Sequence, residues 1–273
     1  MKIKFCGANH EVTGSCHLLQ IKNKNILVDC GMFQGSDFNE GKNHDEFPFN
    51  PKEIDVVLVT HAHLDHIGRI PKLIKEGFSG KIFMTKATCA FAKLIWEDAY
   101  GIMEYNEKKF QMPVLYSEAD IEGSVKHCVG VNYDEQVDLD NGVSAIFKDV
   151  GHIFGSAFIE ITDGEKKIAF SGDVGNKNVP ILKETKKLSD VDVVICESTY
   201  GDRIHEPVEE GYSTLLTLIL EGVKRGGTIM IPAFSLERTQ QILFQLHKMS
   251  EHDDTLPKVP IYLDSPLAIE ATK

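Results

Sequence analysis

Long apolar runs are missing from this 273-residue sequence. Residues 1–6 (MKIKFC) do not form the apolar core of a signal peptide, and no stretch approaches the roughly 20 apolar residues of a transmembrane helix. The six cysteines form no C-x-x-C pair, and Cys30 and Cys196 lie in apolar, strand-like runs. We therefore expect reduced cysteines in or near the core, no membrane span and a cytoplasmic location.

Basic charge is also scarce. The chain has 29 Lys and Arg residues against 41 Asp and Glu residues, which gives a formal net charge of -12 at pH 7. This balance argues against a broad electrostatic surface for nucleic acid. A local surface stays open, because bound divalent cations offset carboxylates. The 42% hydrophobic and 26% charged residues are typical of a soluble globular protein, and the length allows one large domain or one and a half.

Metal-binding side chains are concentrated in residues 60–66, which read THAHLDH. The run 54–59 before them is apolar and β-branched, as in a buried strand, and apolar positions in 67–75 have helical spacing. Imidazole and carboxylate are zinc ligands, and burying several of them without coordination is costly. The alternation directs His61 and His63 toward one metal, whereas Asp65 and His66 can face a second. The pattern predicts a metal site instead of a solvated polar loop.

The periodicity of the other segments predicts an α/β fold. The predicted strands cover residues 2–6, 16–21, 25–28, 54–59, 81–84, 143–147, 157–161 and 167–170, a buried strand at 191–196, and strands at 226–231 and ending at 264. The predicted helices cover residues 67–75, 87–110, 117–128, 208–224 and a segment ending near 249. Residues 35–51 are predicted to form a loop.

Four more polar residues directly follow strand-like runs: Asp29, His152, Asp173 and Glu197. Taken singly, each has an ordinary structural interpretation. Asp29 and Asp173 are common turn residues, and a lone histidine such as His152 is more often structural than functional. Glu197 could be an acid that caps the turn after its strand.

Together with the histidine motif, in this order, these residues resemble the metallo-β-lactamase superfamily. The resemblance implies an αββα sandwich with a two-metal site. It implies that one metal is held by His61, His63 and His152, that the other is held by Asp65 and His66, and that Asp173 bridges both. Asp29 would support the ligands from behind, as outer carboxylates do.

Three further stretches resemble the β-CASP branch of RNA-processing nucleases: residues 12–17 (VTGSCH), 197–203 (ESTYGDR) and 232–241 (PAFSLERTQQ). The resemblance implies a metallo-β-lactamase domain at 1–203 and the opening of a parallel α/β β-CASP cap at 204–273, apparently truncated. The returning segment that carries two later histidines in the family does not follow, and histidines 205, 247 and 252 do not lie in matching contexts. Catalytic roles are implied for Asp65, Asp173 and Glu197, the last orienting a proton-donating histidine.

The function expected from this resemblance is a zinc-dependent phosphodiesterase of RNA processing or decay. It would hydrolyse RNA, single-stranded in preference, by attack of a metal-bridged hydroxide on phosphate. Two zinc ions complete the family pattern, but we expect one tight site here because the second lacks a ligand. A homodimer or an RNA-processing complex is the expected assembly. The alternatives are a small-molecule ester, thioester or lactone hydrolase and a catalytically silent scaffold subunit.

Overall fold

The structure is a computed structural model that describes residues 1–204, 208–252 and 256–273. Its strands are β1 (Lys2–Phe5), β2 (His17–Ile21), β3 (Lys24–Val28), β4 (Val56–Leu58), β5 (Lys81–Thr85), β6 (Cys128–Val131), β7 (Gln136–Asp138), β8 (Ser144–Asp149), β9 (Ala157–Thr162), β10 (Lys167–Phe170) and β11 (Val193–Ile195). Its α-helices are α1 (Asp37–Gly41), α2 (Leu64–Ile67), α3 (Ile70–Lys75), α4 (Lys86–Phe110), α5 (Glu118–His127), α6 (Val208–Lys224), α7 (Arg238–His252) and α8 (Pro266–Thr272).

The strands form two sheets. The first sheet has the order β1-β2-β3-β4-β5-β6, in which the first two pairs are antiparallel and the pairs from β3 to β6 are parallel. The second sheet has the order β11-β10-β9-β8-β7, in which only the β10–β11 pair is parallel. This arrangement confirms the predicted α/β class.

Successive side chains along the strands of the first sheet point alternately into two cores, one on each face of the sheet. In β3, Ile26 and Val28 face the second sheet, whereas Leu27 faces the helices. In β4, Leu58 faces the second sheet and Val57 faces the helices. Because successive side chains of a strand point to opposite faces, a sheet covered on both sides reads as a continuous apolar run.

Helices cover the outer face of the first sheet. Trp96 of α4, Leu73 of α3 and Ile121 of α5 are buried in the helix-side core. Leu236, far along the chain, is buried in the same core, and Leu267 of α8 packs against it. Residues 234–240 and α8 therefore lie against the first part of the chain.

The predicted helix after the histidine motif is two helices, α2 and α3. Proline at position 71 has no backbone N–H to donate to the carbonyl of Ile67. That carbonyl instead accepts a hydrogen bond of 2.9 Å from Nε1 of Trp96. The interruption therefore has a local cause and a partner for the freed carbonyl.

Two predicted strands are wrong. Residues 226–231 and the segment ending at 264 have no strand structure, and Met230 is 88% exposed. A strand needs a neighbour that supplies ladder hydrogen bonds, and none lies beside these segments in the part of the chain that the structure describes.

The strand predicted as buried at 191–196 is short and exposed. Val193 and Val194 of β11 are 40% and 45% exposed, because β11 is an edge strand whose single partner among the described residues is β10. Cys196, expected near the core, is exposed as well.

The predicted helix through Cys128 ends at His127, and Cys128 begins β6. The sequence analysis did not predict strands β6 and β7 or the short helix α1.

Among the described residues, no helix is long and apolar enough to cross a bilayer.

Candidate metal centre

The predicted site residues converge at one end of the sandwich. His61 and His63 follow β4 in the first sheet, while His152 and Asp173 follow β8 and β10 in the second. Strands β8 and β10 run in the same direction because each is antiparallel to β9. Their carboxyl ends therefore meet at the same edge. This is where open α/β layers usually place their ligands.

One group of side chains has the arrangement of a metal site. His61, His63, His152 and Asp173 each offer one ligand atom, and these four atoms lie within 4.8 Å of one another. Nε2 of His61 lies 3.0 Å from Nδ1 of His63, and Oδ2 of Asp173 lies 3.4 Å from Nε2 of His152. Three neutral nitrogens and one carboxylate form the four-donor set that a tetrahedral zinc accepts.

A second group lies on the other side of Asp173. Oδ1 of this carboxylate is 3.2 Å from Nε2 of His66, and Oδ2 of Asp65 is 3.8 Å from the same nitrogen. The two oxygens of Asp173 thus face different groups, as a bridging ligand requires. The second group has three donors where the first has four.

Asp29 supports the site from the strand behind it. Its Oδ1 accepts a hydrogen bond of 2.8 Å from the backbone N–H of Thr60, and its Oδ2 lies 2.7 Å from Nδ1 of His66. The hydroxyls of Thr60 and Ser15 donate to the same Oδ2, at 2.8 and 3.2 Å. Asp29 is 1% exposed. A carboxylate on the far nitrogen of a histidine fixes the ring and its tautomer, which leaves the other nitrogen free for a metal.

Two glycines allow the site segments to approach one another. At Gly172, a Cβ atom would lie 2.7 Å from Cβ of Thr60, and the φ angle is +55°. At Gly31, a Cβ atom would lie 1.5 Å from the carbonyl oxygen of Asp65. Any larger residue at either position would push Asp173 or Asp65 away from the histidines.

Burial sets the protonation of the first group. It lowers the pKa of His63 to about 3 and that of His61 well below the usual value, and it lowers the pKa of His152 against the opposing charge of Asp173. These imidazoles are therefore neutral near pH 7, which is the form that binds metals.

In the second group, neighbouring charges outweigh burial in setting the protonation of His66. Burial alone would lower the pKa of His66, but Asp29 and Asp173 outweigh it and raise the pKa well above 6.5. Burial opposes ionisation of Asp173 as well, yet its hydrogen bond to His66 holds the pKa at about 2. Burial raises the pKa of Asp65. Without a metal, a protonated His66 holds the carboxylates together.

Glu197 fixes the turn that carries Asp173. Its Oε1 accepts a hydrogen bond of 2.9 Å from the backbone N–H of Val174, and its Oε2 accepts one of 3.2 Å from that of Thr199. Its own N–H donates to Oγ of Ser171 at 3.0 Å. The turn-capping interpretation of Glu197 thus describes its contacts among the described residues.

The structure brings together all of the predicted site residues. Thr60 is an addition, because its hydroxyl lies 3.1 Å from Nδ1 of His61 as well as beside Asp29. Its position directly before the histidine motif was the only available signal. Ser15 lies in residues 12–17, which resemble the β-CASP branch, but no pattern in the sequence indicated that it contacts Asp29. His205 and the side chain of His252 lie outside the described residues, and His247 is exposed on α7.

The fold and this cluster agree with a match to the metallo-beta-lactamase superfamily profile over residues 11–185. The chain belongs to that superfamily. It is 40% identical over 268 residues to a protein named ribonuclease TTHA0252 from Thermus thermophilus, with 98% of this chain and 59% of the relative covered. It is 34% identical to cleavage and polyadenylation specificity factor 73 of Drosophila melanogaster, with 98% and 39% covered.

The chain thus spans 59% or less of these two relatives' length. Among solved structures, the metallo-beta-lactamase fold protein YhfI from Bacillus subtilis is 17% identical, with a TM-score of 0.40 and 65% of each chain covered.

Proposed function

We propose that this chain is a zinc-dependent phosphodiesterase that hydrolyses RNA in RNA processing or decay. The observation that carries the proposal is the convergence of the four-donor group around Asp173 with the second group at His66. The names of the relatives, a ribonuclease and a cleavage factor, support RNA as the substrate. Residues 204–273 would be the opening of a β-CASP domain that follows the domain at 1–203.

The donor set fits two zinc ions. His61, His63, His152 and Asp173 would hold the first, and Asp65, His66 and Asp173 the second. When bound, two such ions activate water and neutralise the charge that develops on a phosphate. The first group has four donors and low histidine pKa values, whereas the second must release the His66 proton. We therefore propose that the first zinc binds more tightly.

The other residues act on these ligands. Asp29 holds the ring of His66, and Glu197 holds the turn of Asp173. The carboxylate of Asp173, shared between the two groups, would separate the two dications electrostatically. Asp65, Asp173 and Glu197 are the residues that we assign to catalysis.

The two alternatives make different predictions. A small-molecule hydrolase of this fold would turn over a thioester or lactone and leave RNA intact. A silent scaffold would cleave neither, and such a protein has no need for the candidate ligands that the structure brings together. The six cysteines, all free thiols, support a reducing compartment such as the cytoplasm. A homodimer or an RNA-processing complex is the assembly that we propose.

The test combines metal analysis with two substrates. We expect zinc in the purified protein, cleavage of a single-stranded RNA and no turnover of a generic thioester. His63→Ala should lose both zinc and RNA cleavage, which excludes a contaminating nuclease. Thioester turnover without RNA cleavage would overturn the proposal in favour of the small-molecule hydrolase, and zinc without turnover of either substrate would favour the scaffold.

A further inference from the structure

The loop that carries His152 contacts a turn from the last quarter of the chain. Ile153 of this loop and Leu236 of the turn are buried in the same core. Glu237 itself is only 6% exposed. Residues 152–155 and 234–238 therefore form a joined surface directly beside the metal centre.

Two aromatic rings project from this surface into solvent. Phe154 is 41% exposed and Phe234 is 84% exposed. The backbone of Phe234 is nevertheless fixed, because its carbonyl accepts hydrogen bonds from the N–H and the hydroxyl of the buried Thr239, at 3.3 and 2.8 Å. The loop that carries Phe154 is fixed at the next residue, because the carbonyl of Gly155 accepts hydrogen bonds from the hydroxyls of Thr85 and Thr88 at 2.7 and 2.9 Å. Exposed aromatic rings on fixed backbone lose little conformational entropy when they bind a flat partner.

A positive charge accompanies the rings. Arg238 is exposed and opens α7, one residue after Glu237. A chain with a net charge of -12 gains little from long-range attraction to a polyanion. Stacking of nucleobases on aromatic rings does not depend on net charge, and every base offers a face for it. One local cation is enough to pair with a backbone phosphate between stacked bases.

We propose that Phe154, Phe234 and Arg238, named here the aromatic rim, bind the unpaired bases of single-stranded RNA beside the cleaved phosphate. This assignment rests on the proposed RNA phosphodiesterase function and adds the residues that select a single strand. The two rings stack on bases, which double-stranded RNA keeps inside its helix. Arg238 pairs with the intervening phosphate. Since Phe154 is two residues from His152, a base stacked on it lies next to the metal centre.

The experiment measures RNA affinity and turnover separately. A short single-stranded RNA is titrated into the zinc-loaded wild type and into the Phe154→Ala and Phe234→Ala variants. A nuclease-resistant RNA is used to measure binding, and an unmodified RNA is used to measure turnover. Each substitution should raise Kd by about 5-fold or more, as the loss of one stacked base does. Phe154→Tyr and Phe234→Tyr should keep the wild-type Kd, because a tyrosine ring also stacks.

The matched control is Phe110→Ala at the end of α4. Phe110 is 57% exposed and has a lysine, Lys109, with its ammonium 5.1 Å from the ring centroid, so it resembles the aromatic rim but lies on another element. Its RNA affinity should equal that of the wild type. Wild type should bind RNA with abasic positions near the cleavage site more weakly than unmodified RNA. For the abasic RNA, the Kd of wild type should equal that of Phe154→Ala.

The result separates this inference from the proposed function. Bound zinc, measured by elemental analysis, should be the same in the rim variants as in wild type, so that a loss of RNA affinity cannot be assigned to a loss of metal. If wild type cleaves RNA but the rim alanine variants bind it with wild-type Kd, the inference is overturned and the function stands. An unchanged Kd together with a changed oligomeric state would assign the rim to contact between copies. If wild type cleaves no RNA, the proposed function itself fails.

Discussion

Replacement of Asp29 by asparagine tests how the site is held. The two carboxylate oxygens of Asp29 accept from different donors, with the backbone N–H of Thr60 on Oδ1 and His66 on Oδ2. An asparagine has one acceptor oxygen, so its amide NH₂ must face one of these donors. The φ angle of Asp29 is +59°, a region that asparagine tolerates as well as aspartate. The substitution therefore changes charge and hydrogen bonding without new backbone strain.

The size of the effect follows from these contacts. Loss of a carboxylate behind a ligand histidine typically lowers metal affinity by about 10- to 100-fold, which corresponds to about 1.4–2.7 kcal/mol. A buried donor left without an acceptor costs about 1–3 kcal/mol of folding stability. We expect the weaker of two stepwise zinc affinities to fall by about 10- to 100-fold, because His66 belongs to the second group. The stronger affinity should change less, since Asp29 reaches His61 only through Thr60.

The assay is a zinc titration in competition with a chromophoric chelator, combined with thermal unfolding of the metal-free protein. The matched control is Asp140→Asn, because Asp140 also has a positive φ angle, +66°, but is exposed. That variant should keep both zinc affinities. If Asp29→Asn keeps both affinities and the wild-type unfolding temperature, then Asp29 does not orient His66 and our account of the site is wrong.

Three further predictions concern other residues. His61→Ala or His63→Ala should lower bound zinc and abolish RNA cleavage while the far-UV circular dichroism persists; retained zinc and activity in both would contradict the site. Asp173→Asn keeps the shape but removes the bridging charge, so zinc should fall toward one or none per chain by elemental analysis, and two retained ions would show another bridge. Burial raises the pKa of Glu237 above 4.5, so the folded state holds this proton more tightly and stability falls as pH rises through the folded pKa. Glu237→Gln should therefore gain urea stability relative to the metal-free wild type as pH rises above 4.5, and a constant difference would contradict this.

The histidine motif could be interpreted from sequence because its geometry is local. A strand followed by a helix fixes where His61, His63, Asp65 and His66 point, and all four lie within six residues. His152 and Asp173 were weaker signals singly, since each depends on the second sheet stacking on the first. The order of the motifs, through the family resemblance, supplied what spacing could not.

Other elements depended on contacts that no local pattern shows. Residues 226–231 have the composition of a strand, but pairing decides whether a strand forms, and pairing is a property of neighbours in space. The break between α2 and α3 depended on Pro71 together with the indole of Trp96, which comes from a distant helix. Exposure of Val193 and Val194 followed from the edge position of β11, which sequence does not reveal.

By itself, the sequence determined the α/β class, the donor types and the end of the strand at which they collect, because periodicity and residue chemistry are local properties. Only the tertiary structure decided which oxygen of Asp173 faces which group, that Thr60 and Ser15 meet Asp29, and that Leu236 shares a core with Ile153 of the His152 loop. Those contacts join residues between 14 and 112 positions apart in the printed sequence. Their energies depend on burial and hydrogen-bond geometry, which exist only once the two sheets have packed.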